Sequence, residues 1–70
     1  MTSRFVLVKA GQSARAVERA CPTGRELALL IAGRPLWVRR FEHGDDAAFE
    51  AEVEAPRAAL IQRGWQTATA

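Results

Sequence analysis

The 70-residue chain has one cysteine and one histidine, and these two scarcities remove most kinds of site chemistry. A lone Cys21 closes no internal disulfide, and together with His43 it falls short of the ligand sets of structural zinc sites. Long apolar runs are missing as well: the longest, Leu27 to Ala32, is far shorter than the roughly 20 residues of a membrane-spanning helix. Met1 to Lys9 has few apolar residues and no small-residue cleavage site after a longer apolar stretch, so it does not read as a signal peptide. There is no HExxH, no CxxC, no Gly-rich phosphate loop and no oxyanion signature. The reading is a cytoplasmic protein that is not an enzyme and has no metal, no cofactor and no membrane partner.

Seventy residues also bound the core. A chain this short buries a smaller share of its surface than a larger domain does, and the two usual staples of very small folds, disulfide and metal, are absent. Burying apolar surface between chains is the remaining route to stability, which makes a homodimer a natural expectation. The domain reading is one unit over 1–66 with a frayed tail over 67–70.

What is present is an uneven charge. Residues 1 to 41 hold eight Lys/Arg against Glu18 and Glu26, a balance of +6, and residues 42 to 70 hold six acids against Arg57 and Arg63, a balance of −4. A basic sheet beside an acidic helix follows. Such a dipolar chain can steer an anionic partner to one face, or pair head to tail with its own copy. The competing explanation is compositional, since nine of the ten basic residues are Arg and alanine is abundant, as in a GC-rich genome.

The pattern predicts an α+β fold, a small antiparallel sheet (strands about 4–9, 25–32 and 35–42) on a C-terminal helix (about 45–63, kinked at Pro56). Arg4 to Lys9 is a valine-rich run typical of a central strand covered on both faces. Residues 13–20 allow either a helical turn capped by Ser13 or a second strand. Residues 23–32 also allow two readings. Thr23-x-x-Glu26 matches a capping box, but two apolar runs flanking a glycine, the second rich in extended-chain residues, favour a hairpin. In a hairpin whose loop is Ala32-Gly33, Pro35 falls in a non-bonded pair, although Ala32 then needs a positive φ. A longer loop or a bulge is the easier solution. Pro35 also points to a sheet edge. Two-residue registers place Leu27, Leu29, Ile31, Leu36 and Val38 on one face and Ala28, Leu30, Trp37, Arg39 and Phe41 on the other. Phe49, Val53, Pro56 and Leu60 form one helical stripe, and Gly64 fits a left-handed C-terminal cap with Trp65 folded back.

The candidate partner or nucleic-acid face is therefore Trp37, Arg39, Phe41 and Leu30, with Arg34 and Arg40 nearby. Aromatic residues and arginines on a strand can stack bases and contact phosphates. The leading reading of the same residues is a second core layer or a dimer interface. His43 with Glu42, Asp45 and Asp46, or with Cys21, suggests a metal or acid-base group, against the ordinary reading of a turn histidine before a helix-capping aspartate.

From about Glu26 to Trp65 the order is strand, Xaa-Gly turn, basic strand, Ala/Glu-rich helix, and a closing Arg57, Leu60, Gly64 and Trp65. This resembles short uncharacterised bacterial proteins that close on Arg-x-x-Leu-x-x-x-Gly-Trp, a resemblance that implies a fold and no function. Ala32-Gly33-Arg34 with Trp37 is distantly similar to WGR domains, which join an antiparallel sheet to a helix and are associated with nucleic acid, though the Trp-Gly-Arg triplet is absent. Glu26, Leu27, Leu30 and Gly33 resemble the rhythm of PqqD-like peptide chaperones, which implies the helical reading of that segment. The functional expectation is a small non-enzymatic protein-binding or self-assembly module, its partner itself or another protein. The alternative is low-specificity nucleic-acid binding by the basic, aromatic sheet face.

Overall fold

In the computed structural model, which describes residues 1–68, two Ala-Gly turns and one Pro-Thr turn fold the first part of the chain into a meander. Its strands are β1 (Thr2–Lys9), β2 (Gln12–Cys21), β3 (Gly24–Ile31) and β4 (Arg34–Glu42), followed by helix α1 (Asp46–Gln62) and a short strand β5 (Gln66–Thr67). The sheet is antiparallel throughout, in the order β4-β3-β2-β1-β5. The α+β architecture expected from the pattern is what forms. Of the open alternatives, 13–20 lies in β2, and Gly24–Ile31 is strand rather than helix.

The turns explain the meander. Ala10 and Gly11 have φ of 52° and 78°, and Ala32 and Gly33 have 52° and 80°. Two consecutive positive values mark the hairpin turn whose twist matches that of the flanking strands. The cost of a positive φ at alanine is accepted twice. The third glycine with a structural duty is Gly24, opposite Glu42. A β-carbon there would overlap the Phe41 carbonyl oxygen and come within 2.9 Å of the Glu42 backbone.

Beyond the Ala32-Gly33 turn the closing pair is Ile31 with Arg34, and Leu30 then pairs with Pro35. Pairs alternate between bonded and non-bonded, so the missing Pro35 N–H falls on the outer side of β4, the sheet edge where it is not needed. The next pair is Leu29 with Trp37, which leaves Leu36 as an extra residue in a β-bulge. One inserted residue reverses the facing of everything after it. Trp37, Arg39 and Phe41 consequently share a face with Leu27 and Leu29, while Val38 turns to the opposite face with Ala28 and Leu30. This corrects the parity expected from an unbulged hairpin.

One face of the sheet carries the core. Phe5, Leu7, Ala14, Ala16, Leu27 and Leu29 are buried against Phe49 and Val53 of α1, ringed by Ile31, Trp37, Phe41, Leu60 and Trp65. Ala14 and Ala16 sit between Leu7 and Ile31 and between Phe5 and Leu29. Both alanines are buried in the core beside these larger side chains. Phe49 is fully buried and meets Phe41 edge to face, with centroids 5.3 Å apart and planes at 84°, an arrangement aromatic quadrupoles favour.

Helix α1 runs through Pro56 as a single element, so the proline does not divide it into two pieces. Asp45 occupies the N-cap position without a side-chain cap bond, contrary to the capping role expected of it. At the other end Gly64 has φ of 94°, its N–H donates to the Ile61 carbonyl and the Trp65 N–H to the Leu60 carbonyl. That pair of bonds is the Schellman cap. The chain then returns along β1, with Gln66 opposite Val8, Thr67 opposite Leu7, and the Ala68 N–H donating to the Val6 carbonyl at 3.0 Å. Residues 67 and 68 of the tail expected to fray thus pair with β1, and Thr69 and Ala70 lie outside the described residues. Among the described residues no helix is long and apolar enough to cross a membrane.

Candidate functional site

The charge asymmetry of the sequence is largely consumed inside the fold. On the helix side Arg4 bonds both Glu18 of β2 and Glu50 of α1, Arg25 bonds Glu18 at 3.4 Å and Asp46 at 2.7 Å, and Arg39 pairs with Glu52. The basic sheet and the acidic helix neutralise each other across their own interface. Stacking adds to this: the Arg25 guanidinium lies 3.8 Å from the centre of the Phe49 ring and that of Arg39 lies 4.2 Å from the Trp37 ring, within cation–π range. Arginines bonded to it hold the Glu18 carboxyl below the usual carboxylate range, first through the bond from Arg4 and, against the opposing effect of burial, also from Arg25. The Arg4 guanidinium is correspondingly raised, mainly by Glu18 and then Glu50.

The six residues singled out in the sequence do not form one face. Trp37, Arg39 and Phe41 lie on the helix side, Trp37 and Phe41 half-buried against the core. Arg34 closes the turn opposite Ile31. Leu30 and Arg40 belong to the other side of the sheet. The aromatic platform imagined for stacking bases is therefore covered by α1, and its arginine already holds a carboxylate. His43 is exposed, its backbone N–H donating to the Thr23 carbonyl at 3.1 Å, and the Cys21 thiol lies 4.0 Å from the Thr23 hydroxyl. Among the described residues no group of three or more His, Cys, Asp and Glu is placed to hold a metal ion.

Among the described residues no layer covers the side of the sheet away from α1. Here the register aligns Val17, Ala28 and Val38 across β2, β3 and β4, with Arg15, Leu30 and Pro35 in the neighbouring row. Leu36 and Val38 are 66% and 56% exposed and Met1 is 90% exposed. Val17, Ala28, Leu30, Pro35, Val38 and Met1 line a shallow depression of about 250 Å³. The expectation that β1 is covered on both faces fails here, because Val6 is only half-buried and Val8 is 41% exposed.

One end of this open face is closed by a charged clasp. Arg19, Glu26 and Arg40 stand directly opposite one another on β2, β3 and β4, and the two Nε–H groups donate to Glu26 Oε1 at 2.5 Å and Oε2 at 2.7 Å. Glu26 is 6% exposed, although its neighbours Arg19 and Arg40 are 62% and 76% exposed. It is covered by arginine stems rather than by a protein interior, so solvent screens it. Bonds from Arg19 and then Arg40 hold its carboxyl below the ordinary range, and Glu26 raises Arg40 in turn. The sequence offers Glu26 either as a capping-box residue or, in the favoured hairpin, as a strand residue. Its position opposite basic residues in both neighbouring strands was recoverable only once β2 was known to be a strand.

The open face, then, is a band of aliphatic side chains with Arg15 among them and an internally neutralised polar end. Comparison with protein-family models, with curated proteins and with solved structures finds no match to this chain.

Proposed function

We propose that this chain is a small, non-enzymatic protein-binding or self-assembly module acting in the cytoplasm, and that the open sheet face is its binding surface. The observation that carries this is the asymmetry of cover. A sheet normally buries one or both faces in a layered architecture, and a solvated face normally alternates to polar residues. Here the face without a layer presents Val6, Val17, Ala28, Leu30 and Val38. Contiguous exposed apolar surface of this kind marks interaction sites. Low-specificity nucleic-acid binding has less support, because Trp37 and Phe41 pack against the core and Arg4, Arg25 and Arg39 are paired with carboxylates.

The test uses a small apolar probe, anilinonaphthalene sulfonate, with dilute folded protein. Binding by the wild type and its loss in Leu36→Lys/Val38→Arg, with unchanged far-UV circular dichroism, is the expected result. Absence of dye binding by protein dilute enough to sediment as a monomer, or equal binding by both proteins, overturns the assignment of this face.

A further inference from the structure

We infer that the occupant of the open face is a second copy of this chain, packed sheet against sheet, giving a homodimer with four layers: helix, sheet, sheet, helix. The inference rests on the reading of that face as a binding surface and adds what binds there. Its first support is area. Four long strands about 4.8 Å apart, each about nine residues long at about 3.3 Å per residue, present a face of about 600 Å². Two such faces bury about 1,200 Å² together, which reaches the range of specific, stable interfaces.

The total surface agrees. A compact monomer of 7.7 kDa is expected to expose about 4,300 Å², whereas this chain exposes 4815 Å². The difference, about 500 Å², is close to the area of one sheet face.

The second support is the elimination of the competing arrangement, edge-to-edge pairing through β4. That edge carries Pro35, the Leu36 bulge and the basic residues Arg34, Arg39 and Arg40, the devices by which edge strands avoid pairing with another sheet. Across the face, by contrast, the charged side chains are Arg15 and the internally neutralised clasp of Arg19, Glu26 and Arg40.

The third support is charge. Arg19 and Arg40 are already held by Glu26, which accepts from both, so of the arginines on this face an acidic partner would find Arg15 alone outside an ion pair among the described residues. A second copy asks nothing of this clasp, because each copy brings its own neutralised set, and Arg15 can extend its stem over the apolar surface while its guanidinium stays in water at the rim. Stacked sheets pack about 10 Å apart with interdigitating aliphatic side chains, and the small and branched residues Val17, Ala28, Leu30 and Val38 suit that spacing. The two-fold relation makes the contact isologous, so it closes at two copies and does not propagate.

Sedimentation equilibrium of the full chain over about three decades of concentration tests the inference. The expected result is a species of twice 7.7 kDa that dissociates on dilution, with Val38→Arg weakening the dimer by at least about 100-fold. Leu30→Glu serves as the second variant should Val38→Arg lose its circular dichroism signal. A wild type that stays monomeric at every concentration overturns the dimer, as does a dimer that both variants leave intact. If the monomeric wild type still binds the dye and Leu36→Lys/Val38→Arg does not, the binding-surface reading stands and only its occupant is wrong. If dye binding is also absent, both fall.

Discussion

The two faces of this sheet are built from the same four strands and end up with opposite fates. On the helix side, aliphatic and aromatic side chains are covered by Phe49 and Val53, and three arginines are each matched to a carboxylate of the helix or of β2. On the other side a comparable set of aliphatic residues meets solvent, and its one clasp is made within the sheet. The difference between the faces is a helix, and what directs residues to one face or the other in β4 is a single bulge. Residue type alone does not reveal which apolar face a small domain covers itself and which it leaves open.

The sharpest way to break this comparison is to truncate one large residue on each side. Phe49 is fully buried, so Phe49→Ala should cost about 3–5 kcal/mol, a large part of the roughly 4–10 kcal/mol available to a domain of this length. Val38→Ala on the open side should cost less than about 0.5 kcal/mol in dilute protein. Urea titration of both variants measures the contrast. Similar losses at the two positions would mean that the open face is buried within a single chain.

Deleting Leu36 attacks the bulge itself. Without the extra residue, regular alternation would send Trp37, Arg39 and Phe41 to the open side, removing both rings from the core and Arg39 from Glu52. The expected loss is about 2–4 kcal/mol. In a Trp65→Phe background, Trp37 fluorescence should become more accessible to acrylamide. Unchanged quenching would show that the strand restores its facing by another route.

These two experiments bear on what could be read from the sequence. Leu27, Leu29 and Ile31 at alternate positions, the Phe49–Val53–Pro56–Leu60 stripe and the Gly64-Trp65 cap are all legible, because each pairs a residue type with a local periodicity. Pro35 correctly marks an edge and even hints at a bulge, since a proline constrains which pairs are bonded. It does not say which residue is extra. That depends on how β4 twists against β3, a property of the pair, and so the candidate face drawn from Trp37, Arg39, Phe41 and Leu30 mixed residues from two sides. β2 was ambiguous for a different reason: its buried positions are Ala14 and Ala16, too small to stand out as apolar. Gln66-Thr67 is too short and too polar to announce a strand, and pairs because the Schellman cap aims it at β1.

The ion pairs on the helix side yield a smaller effect with a defined pH window. Glu18 is held below the usual carboxylate range by Arg4 and Arg25. A carboxyl depressed by folding stabilises the native state fully above its unfolded value, about 4.3 for Glu, and that contribution fades as pH falls through the lower folded value. Glu18→Gln should therefore cost about 1–2 kcal/mol at neutral pH and flatten the acid limb of the stability profile below about pH 4.3. Thermal melts between neutral and strongly acidic pH measure it. Parallel profiles for the two proteins would mean that the carboxyl contributes nothing through its charge.

The smallest expected effect is a gain. Ala32 holds a φ of 52° in the turn between β3 and β4, a left-handed conformation that an L-residue with an unbranched apolar side chain adopts at a cost and that asparagine adopts more readily. Ala32→Asn converts the turn to Asn-Gly and should stabilise the protein by about 0.5–1 kcal/mol, a rise of a few degrees in Tm for a domain of this size. The turn lies outside both faces, so dye binding and the sedimentation profile should not move. A variant that melts higher yet associates more strongly would tie binding to the stiffness of the β3–β4 hairpin. One that melts higher with association unchanged separates stability from surface, and leaves the aliphatic row of Val17, Ala28 and Val38 as the part of the molecule that a partner reads.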